Sequence, residues 1–538
     1  MKRFNTILIA VMISVASLFS TSCVGDLDVT PIDPNLTLPE DVLNSVDAYQ
    51  QLLLKCYGGL SVSASQGPDS SPDISGIDGG FGQYIRALFY LNEFTTDEAS
   101  TCWNDQTIKS LHGLSWTTSD VFVTAMFSRL YYQIGICNEF IRRANAAPAE
   151  FQGEEMDYMI AQARALRALS YWHAMDMFGN VPFATEANSV GATGPDQISR
   201  YDLYEWLVDE IAGENGFRQD LRPAASTVYG RTSQEFATML LAKIYLNAGV
   251  YTSGDEQGRA AVTAWDECIA ECRSLIQSYP SLESNYHGLF SGDNDQFTNE
   301  IIFAVMSDAN YVQTYGGTNF IIKSSLVAGN SAWADSLGVD DGWGGMVVTG
   351  AYLDRMYSNT NDSRYLFTDG AIFGEEAHDY YIEDNSDFGS GWCSLKFTNR
   401  NADGSAPTTT AAWPNTDFPM FRAADAYLML AEAQLRKGAI ESDGVEAFNA
   451  VRQRAGLSVD NNITLEKIID ERGRELFWEC SRRSDLVRFN LLTTGEYLWD
   501  GKGGSVDGNA VDDRYNIFPI PANEINANSK LQQNPQWR

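Results

Sequence analysis

Apolar residues recur at helical spacing near both ends of the chain, whereas the middle part lacks this period. The segments 120–144 and 156–178 place apolar side chains three and four residues apart, which predicts amphipathic helices. The second segment is followed by Gly179 and Pro182, a typical helix stop. The other predicted helices cover 236–248, 262–279, 423–437, 445–455 and 465–489.

Short glycine-marked turns join these predicted helices in pairs. The pattern predicts a mostly α fold with a tetratricopeptide-like α-solenoid scaffold of helix pairs, although no clean repeat of about 34 residues is visible. From about 283 to 415 the chain is rich in Gly, Asn, Asp and aromatic residues, with strand-like runs such as EIIFAVM and FIIKSSLVA. We expect one domain over 41–538, in which helical parts at about 41–282 and 416–538 flank a large, irregular, loop-rich ligand-binding region.

The first 22 residues have the pattern of an export signal. Lys2 and Arg3 precede a mostly apolar run at 7–19, which is shorter than the roughly 20 residues needed to span a membrane. Cys23 follows three small residues, as the acylated cysteine of a bacterial lipoprotein does. The proline-containing segment 23–40 has no amphipathic period and is typical of a tether. We expect an exported chain with a lipid on Cys23; the alternative is an ordinary signal peptide and an unmodified cysteine.

Composition and charge narrow the range of partners. With 538 residues and 44% hydrophobic content, the chain is able to bury a large core. Its 37 basic against 71 acidic residues give a formal net charge of −34, which repels nucleic-acid phosphates and anionic lipid headgroups. We therefore expect no nucleic-acid partner, and membrane contact only through the anchor. The eight cysteines and four histidines are scattered, which argues against a disulfide scaffold and against a zinc or haem enzyme.

Motifs for catalysis are absent from the sequence. It contains no phosphate-binding glycine loop, no Gly-x-Ser-x-Gly elbow and no His-Glu-x-x-His motif. Carboxylates are abundant, but nothing singles out an acid and a base, so a secreted glycosidase remains an alternative only. The run Asp293-Asn294-Asp295 offers oxygen ligands for calcium but lacks the glycine and the distal glutamate of an EF-hand, and a solvated loop is the other interpretation.

Aromatic residues make up 12% of the chain, and three of them lie among polar or glycine residues rather than on helix stripes. They are Trp103, Tyr315 and Trp343. The apolar C–H face of a pyranose ring stacks on an exposed aromatic ring, while its hydroxyls bond to polar side chains. For any one of the three taken alone, local loop packing is the favoured interpretation. Together they indicate carbohydrate binding as a hypothesis.

Six ordered motifs resemble those of the SusD/RagB family of surface lipoproteins of Bacteroidetes. They are ARALRALSYWHAMDMFGNVPF, LLAKIYLNAGVYTSG, FRAADAYLMLAEAQLRKG, FNAVRQRAGL, DERGRELFWECSRRSDLVRFN, and IFPIPANEINAN with QQNP. With SCVGDLDVTPIDP, the match extends from Cys23 to the C-terminus. The resemblance implies lipidation of Cys23, an outer-membrane location facing the cell surface, and no catalytic activity.

Other segments, SPDISGIDGGFGQYIR and NEFTTDEASTCWNDQ among them, are similar to starch-binding members of the family. In such members an aromatic arc follows the natural curve of an α-glucan. The resemblance implies that Trp103, Tyr315 and Trp343 form this aromatic arc here. It implies polar contacts from Asp78, Arg86 and Gln106. The implied function requires no cofactor, but the resemblance implies structural calcium near Asp293, Asp295 and Asp417.

The function implied by the resemblance is non-catalytic capture of starch or maltooligosaccharides. The glycan would be delivered to a SusC-like TonB-dependent transporter, in the company of other surface starch-binding lipoproteins. A family member for a different glycan or for a peptide, and a generic helical-repeat adaptor, are the alternatives. The charged residues of FRAADAYLMLAEA and ERGRELFWE are expected to form buried ion pairs between helices rather than a catalytic site.

Overall fold

The computed structural model describes residues 42–188, 194–358 and 361–538. The predictions for the export signal at 1–22, for lipidated Cys23 and for the tether at 23–40 concern residues outside this description. Within the described residues, no helix combines the length and the apolar character that crossing a membrane requires.

Helices dominate the described residues, which confirms the prediction of a mostly α fold. The described residues from 51 to 538 form one compact unit. In the first half of the chain the helices are α1 Val46–Ser61, α2 Tyr84–Asn92, α3 Ile108–His112, α4 Val121–Asn145, α5 Glu154–Phe178, α6 Arg200–Ala212, α7 Gln234–Leu246, α8 Ala248–Thr252 and α9 Trp265–Ser278. In the second half they are α10 Gly317–Ser324, α11 Ser331–Ser336, α12 Gly350–Met356, α13 Ala423–Lys437, α14 Ser442–Arg454, α15 Leu465–Glu475, α16 Arg482–Arg488 and α17 Ala522–Ala527.

Helices pack against each other through much of the scaffold, both between neighbours in the chain and between distant segments. Helix α4 lies against α5, α9 against α7 and α13, and α13 against α14. The carboxylate of Asp120 accepts the N–H groups of Phe122 and Val123 at 2.9 and 3.1 Å and so caps α4. The arrangement is compatible with a tetratricopeptide-like scaffold.

The prediction of one helix over 465–489 is wrong, because this segment forms two helices, α15 and α16. Between them, Trp478 and Cys480 have φ angles of 58° and 59°, which interrupt a right-handed helix. Their N–H groups donate to buried carboxylates, that of Trp478 to Glu98 at 2.8 Å and that of Cys480 to Glu93 at 2.6 Å. Hydrogen bonds to a distant part of the chain thus stabilise the break between the two helices.

The strands are short and pair two by two. The antiparallel pairs among the described residues are β1 Ser100–Thr101 with β5 Met346–Val347, β2 Val181–Pro182 with β3 Gln197–Ile198, β4 Ile301–Val305 with β8 Phe418–Arg422, and β6 Phe367–Thr368 with β7 Cys393–Ser394. Strand β4 confirms the strand-like character of EIIFAVM. FIIKSSLVA is wrong as a strand, because its first half belongs to α10, where Phe320 packs edge to face on Phe89 and Tyr90 of α2.

Buried ion pairs connect the elements of the scaffold, as predicted. Arg422 at the end of β8 is fully buried and contacts Glu300 at 2.6 Å, Glu475 at 3.0 Å and Glu479 at 2.6 Å. Burial alone would raise the pKa of Glu475, but Arg454 and Arg422 hold it well below its ordinary value. The same pattern holds for Arg472 with Asp425 and for Arg488 with Glu432.

Two carboxyl groups in the segment before β1, Glu93 and Glu98, are buried next to each other. Burial raises the pKa of Glu93 to about 8, and burial together with the charge of Glu93 raises the pKa of Glu98 well above its ordinary value. A carboxyl whose pKa is higher in the folded state stabilises the fold fully below its unfolded pKa. That contribution is lost as the pH rises through the folded pKa.

We therefore expect Glu93 to make the protein less stable as the pH rises from about 5 to about 9. Replacing Glu93 with glutamine keeps an acceptor for the Cys480 N–H but removes the ionisation. Urea unfolding at several pH values should show that Glu93→Gln gains stability over the wild type as the pH rises, by up to about 1.4 kcal/mol per pH unit. A constant difference between the two proteins across this range would contradict the expectation.

Candidate glycan-binding site

An open depression of about 300 Å³ brings together the segments around residues 78–105 and 315–343. Its lining consists of aromatic, acidic and guanidinium side chains, namely Asp78, Phe81, Arg86, Trp103, Asp105, Tyr315 and Trp343. All three residues of the aromatic arc and two of the three predicted polar contacts are therefore in one place. Gln106 is the exception, because it is exposed in a backbone turn with φ of 39° and does not line the depression.

Trp103 lies two residues after the end of β1 and is positioned by the pairing of β1 with β5. Its indole Nε1–H donates to the carbonyl of Gly344 at 2.9 Å. A Cβ atom on Gly345 would lie 2.2 Å from the indole ring, so the ring fits against the backbone only because residue 345 is glycine. Because the indole N–H is bonded within the protein, it is not free to donate to a ligand. A ligand at this position would contact only the ring of Trp103.

Tyr315 and Trp343 form an angled pair beside it. Their ring centroids are 6.4 Å apart and their planes are inclined by 51°. Tyr315 also packs on Trp413, with centroids 5.1 Å apart, and its hydroxyl donates to Asp69 at 3.1 Å. The two rings therefore present a bent surface rather than a flat one.

Arg86 of α2 lies beneath these rings and is buried. Its guanidinium stacks between Phe81 and Phe320, 4.3 and 4.5 Å from their ring centroids. Nε donates to the Tyr90 hydroxyl at 2.9 Å and Nη1 to the carbonyl of Tyr315 at 2.8 Å. These contacts fix the plane of the guanidinium, whose further N–H groups are the strongest donors in the depression.

Gln83 holds the two halves of the site together, although sequence reasoning missed it. Its Oε1 accepts the N–H of Arg86 and the N–H of Gly317, both at 2.9 Å. Its Nε2 donates to the carbonyl of Leu60 at 2.7 Å. A Cβ on Gly316 would lie 2.4 Å from the Gln83 side chain, so the glycine in YGGTNF is required for this contact. The loop that carries Tyr315 is thereby fixed to the helix that carries Arg86.

Acidic side chains complete the lining. Asp78 uses Oδ1 to accept the N–H of Gly80 at 2.9 Å, which orients its carboxylate. Asp105, two residues after Trp103, was not predicted from the sequence, and neither was Phe81. Carboxylates accept hydrogen bonds from hydroxyl groups, whereas Arg86 donates them, so the depression offers both partners to a polyhydroxylated ligand.

A single methyl group at position 345 is expected to disrupt the site. Alanine in place of Gly345 would put its Cβ into the indole and displace Trp103 without removing any aromatic ring. We expect Gly345→Ala to weaken glycan binding at least about tenfold in isothermal titration calorimetry. Gly135→Ala is the matched control, because no atom lies within 4 Å of a Cβ there. Equal affinity in the two variants would mean that Trp103 does not contact the ligand.

Two of the carboxylates predicted to hold calcium, Asp293 and Asp417, accept hydrogen bonds from within the protein. Burial, with the charges of Asp295 and Asp308 nearby, raises the pKa of Asp417 to about 7, and its Oδ1 accepts the N–H of Ser307 at 2.7 Å. Asp293 instead bonds to the Ser291 hydroxyl and the Ala402 N–H, both at 2.7 Å. The described residues contain no group of three or more His, Cys, Asp or Glu side chains that could hold a metal ion. Calcium stays a prediction from the resemblance alone.

Comparisons with known proteins place this geometry in a family. A family model described as "SusD family" matches residues 368–537. The chain is 32% identical, over 582 aligned residues that cover 100% of both chains, to the protein named "Starch-binding protein SusD" of Bacteroides thetaiotaomicron. The chain belongs to the SusD family. The resemblance noted in the sequence is thereby confirmed.

Solved structures of the SusD superfamily have the same fold. A SusD homolog from Bacteroides thetaiotaomicron is 20% identical with a TM-score of 0.70, and the match covers 93% of this chain and 98% of that one. "Surface glycan-binding protein A" from the same species, solved in complex with laminarihexaose, is 20% identical with a TM-score of 0.68, covering 91% of this chain and 99% of that one. The helical scaffold of this SusD-family protein is therefore the scaffold of the superfamily.

Proposed function

We propose that this SusD-family protein is a non-catalytic binding protein for starch and maltooligosaccharides. The observation that carries the proposal is the grouping of Trp103, Tyr315 and Trp343 around the buried guanidinium of Arg86 in one open depression. The aromatic rings are suited to stack on the apolar C–H face of a pyranose, and the polar side chains beside them are suited to bond its hydroxyls. The 32% identity to a protein named for starch binding supports an α-glucan as the ligand.

The shape of the site favours a curved chain. Because Tyr315 and Trp343 are inclined by 51°, sugars stacked on the two rings follow a bend, as those of an α-1,4-linked glucan do. Arg86 and Asp78 are placed to bond the sugar hydroxyls at the same time. Capture in this mode needs no bond breaking, and rings held in place by their own contacts lose little conformational entropy on binding.

The place of action in this proposal is the outer-membrane surface, with lipid on Cys23 as the only membrane contact. There the protein passes its glycan to a SusC-like TonB-dependent transporter and works beside other surface starch-binding lipoproteins. The net charge of −34 supports a role away from nucleic acids and anionic headgroups.

Replacing Cys23 with alanine is expected to release the protein from the membrane fraction.

A second candidate is binding of a different glycan. It is favoured by the structure of a surface glycan-binding protein of the same fold, which was solved with laminarihexaose. Gln106, which would be a polar contact by resemblance, does not line the depression, and a binding mode without it would use a different set of polar contacts. A preference for another glucan would follow from such a change in hydrogen-bonding partners.

Affinity electrophoresis with a panel of polymers separates these functions. The purified protein is run through gels that contain amylopectin, laminarin or hydroxyethyl cellulose, and a gel without polymer. Retardation in amylopectin alone supports the starch proposal, and retardation in laminarin supports the second candidate. Migration unchanged in every gel would overturn glycan binding. Release of reducing ends from amylopectin by the pure protein would overturn the non-catalytic assignment.

A further inference from the structure

A second aromatic cluster, Tyr380, Tyr381 and Trp392, lies outside the depression. The ring of Tyr380 is 5.1 Å from that of Tyr381 and 5.4 Å from that of Trp392, with planes inclined by 86° and 79°. Tyr381 is 48% exposed, more than Tyr315 of the aromatic arc at 37%. None of the three is explained by the binding mode proposed above.

The cluster is rigid, and part of the Tyr381 ring is exposed. The hydroxyls of Tyr380 and Tyr381 donate to the two oxygens of Asp354 at 3.1 and 2.7 Å. A Cβ on Gly350 would lie 2.3 Å from Cδ1 of Tyr381, so one side of this ring lies against the start of α12. Because 48% of the residue is exposed, the part of the Tyr381 ring that points away from α12 is accessible to solvent.

The cluster is tied to the strand that positions the aromatic arc. The N–H of Val348 donates to the carbonyl of Trp392 at 2.7 Å, and four residues earlier Gly344 accepts the indole N–H of Trp103. At about 3.3 Å per residue, at most about 13 Å of backbone separates these two points. Lys109 adds a second link, because its ammonium donates to the carbonyls of Thr101 and Asn385.

We infer that Tyr381, supported by Tyr380, Trp392 and Asp354, is a second pyranose-binding surface. It stacks a sugar on the exposed part of the Tyr381 ring, and the exposed carboxylate of Asp354 accepts from the sugar hydroxyls. The inference rests on the proposed function, in that the ligand is a distant part of the same polysaccharide. Two weak sites at a fixed spacing bind one long polymer more tightly than either site binds a short chain.

The test compares a polymer with a short oligosaccharide. In affinity electrophoresis, Tyr381→Ala is expected to weaken binding to amylopectin about tenfold, because the contribution of the second surface to avidity is lost. Calorimetry with maltoheptaose, which the aromatic arc binds by itself, is expected to give the wild-type affinity within about twofold. Tyr381→Phe is the matched control: it keeps the ring, loses only the bond to Asp354, and should retain most of the polymer affinity.

A second arm uses the protein without its aromatic arc. The triple alanine variant of Trp103, Tyr315 and Trp343 is expected to keep a weak retardation in amylopectin, which the added Tyr381→Ala change removes. Equal polymer affinity of wild type and folded Tyr381→Ala would overturn the second surface while the proposed function stands. A wild type that no polymer retards would overturn the proposed function, and the second surface with it.

Discussion

Replacing Trp103, Tyr315 and Trp343 together with alanine is expected to reduce the affinity for maltoheptaose at least a hundredfold. The three rings line one depression and supply its stacking surface. Truncating a ring at the centre of an interface typically costs about 1–2 kcal/mol or more, and about 1.4 kcal/mol is a factor of ten in affinity. Isothermal titration calorimetry measures the loss directly.

The matched control for this variant removes aromatic rings that do not line the depression. Alanine at Tyr201 and Tyr245, two partly exposed tyrosines of α6 and α7, removes two rings outside the depression. We expect the control to bind maltoheptaose like the wild type and both variants to unfold cooperatively. Undiminished binding by a folded triple variant would show that the glycan lies elsewhere on the protein.

The largest effect on stability is expected at Arg422. Alanine there leaves Glu300, Glu475 and Glu479 buried with one guanidinium fewer, and breaking a buried ion network in this way costs about 3–5 kcal/mol. Arg514→Ala is the control, because its pair with Asp512 is exposed on both sides and such pairs contribute at most about 1 kcal/mol.

Urea unfolding of the two variants measures this difference. Arg422→Ala should unfold at a clearly lower urea concentration than Arg514→Ala, with glycan affinity retained at temperatures where the variant is folded. A stability loss of less than about 1 kcal/mol for Arg422→Ala would mean that Arg454, Arg364 and Lys396 compensate for the missing charge.

Much of the scaffold was predictable because its helices follow local rules. The period of apolar residues is a property of neighbouring residues, and α4 and α5 occur where it predicts them. The break between α15 and α16 was not predictable in this way. It depends on hydrogen bonds from Trp478 and Cys480 to carboxylates almost 400 positions away in the chain.

The residues of the candidate site also fall into two groups, those recognisable from the local sequence and those whose role depends on contacts between distant parts of the chain. Trp103, Tyr315 and Trp343 were recognisable because they lie among polar or glycine residues rather than on a helix stripe. Gln83 was not, because its importance comes from bonds to Gly317 and Leu60 that only the folded chain brings together. The placement of Gln106 outside the depression likewise follows from the turn at φ 39°, which the letters of the sequence do not reveal.

The internal hydrogen bond of the Trp103 indole has a consequence for how fast a glycan leaves. Its N–H is bonded to Gly344 and the hydroxyl of Tyr315 to Asp69, so neither group needs a sugar as its hydrogen-bonding partner. Departure of the sugar therefore strands no buried polar group on these rings, and the barrier to dissociation stays low. If the proposed function holds, such a surface would favour rapid exchange, because a glycan chain held by stacking contacts would leave without breaking bonds that the protein cannot replace.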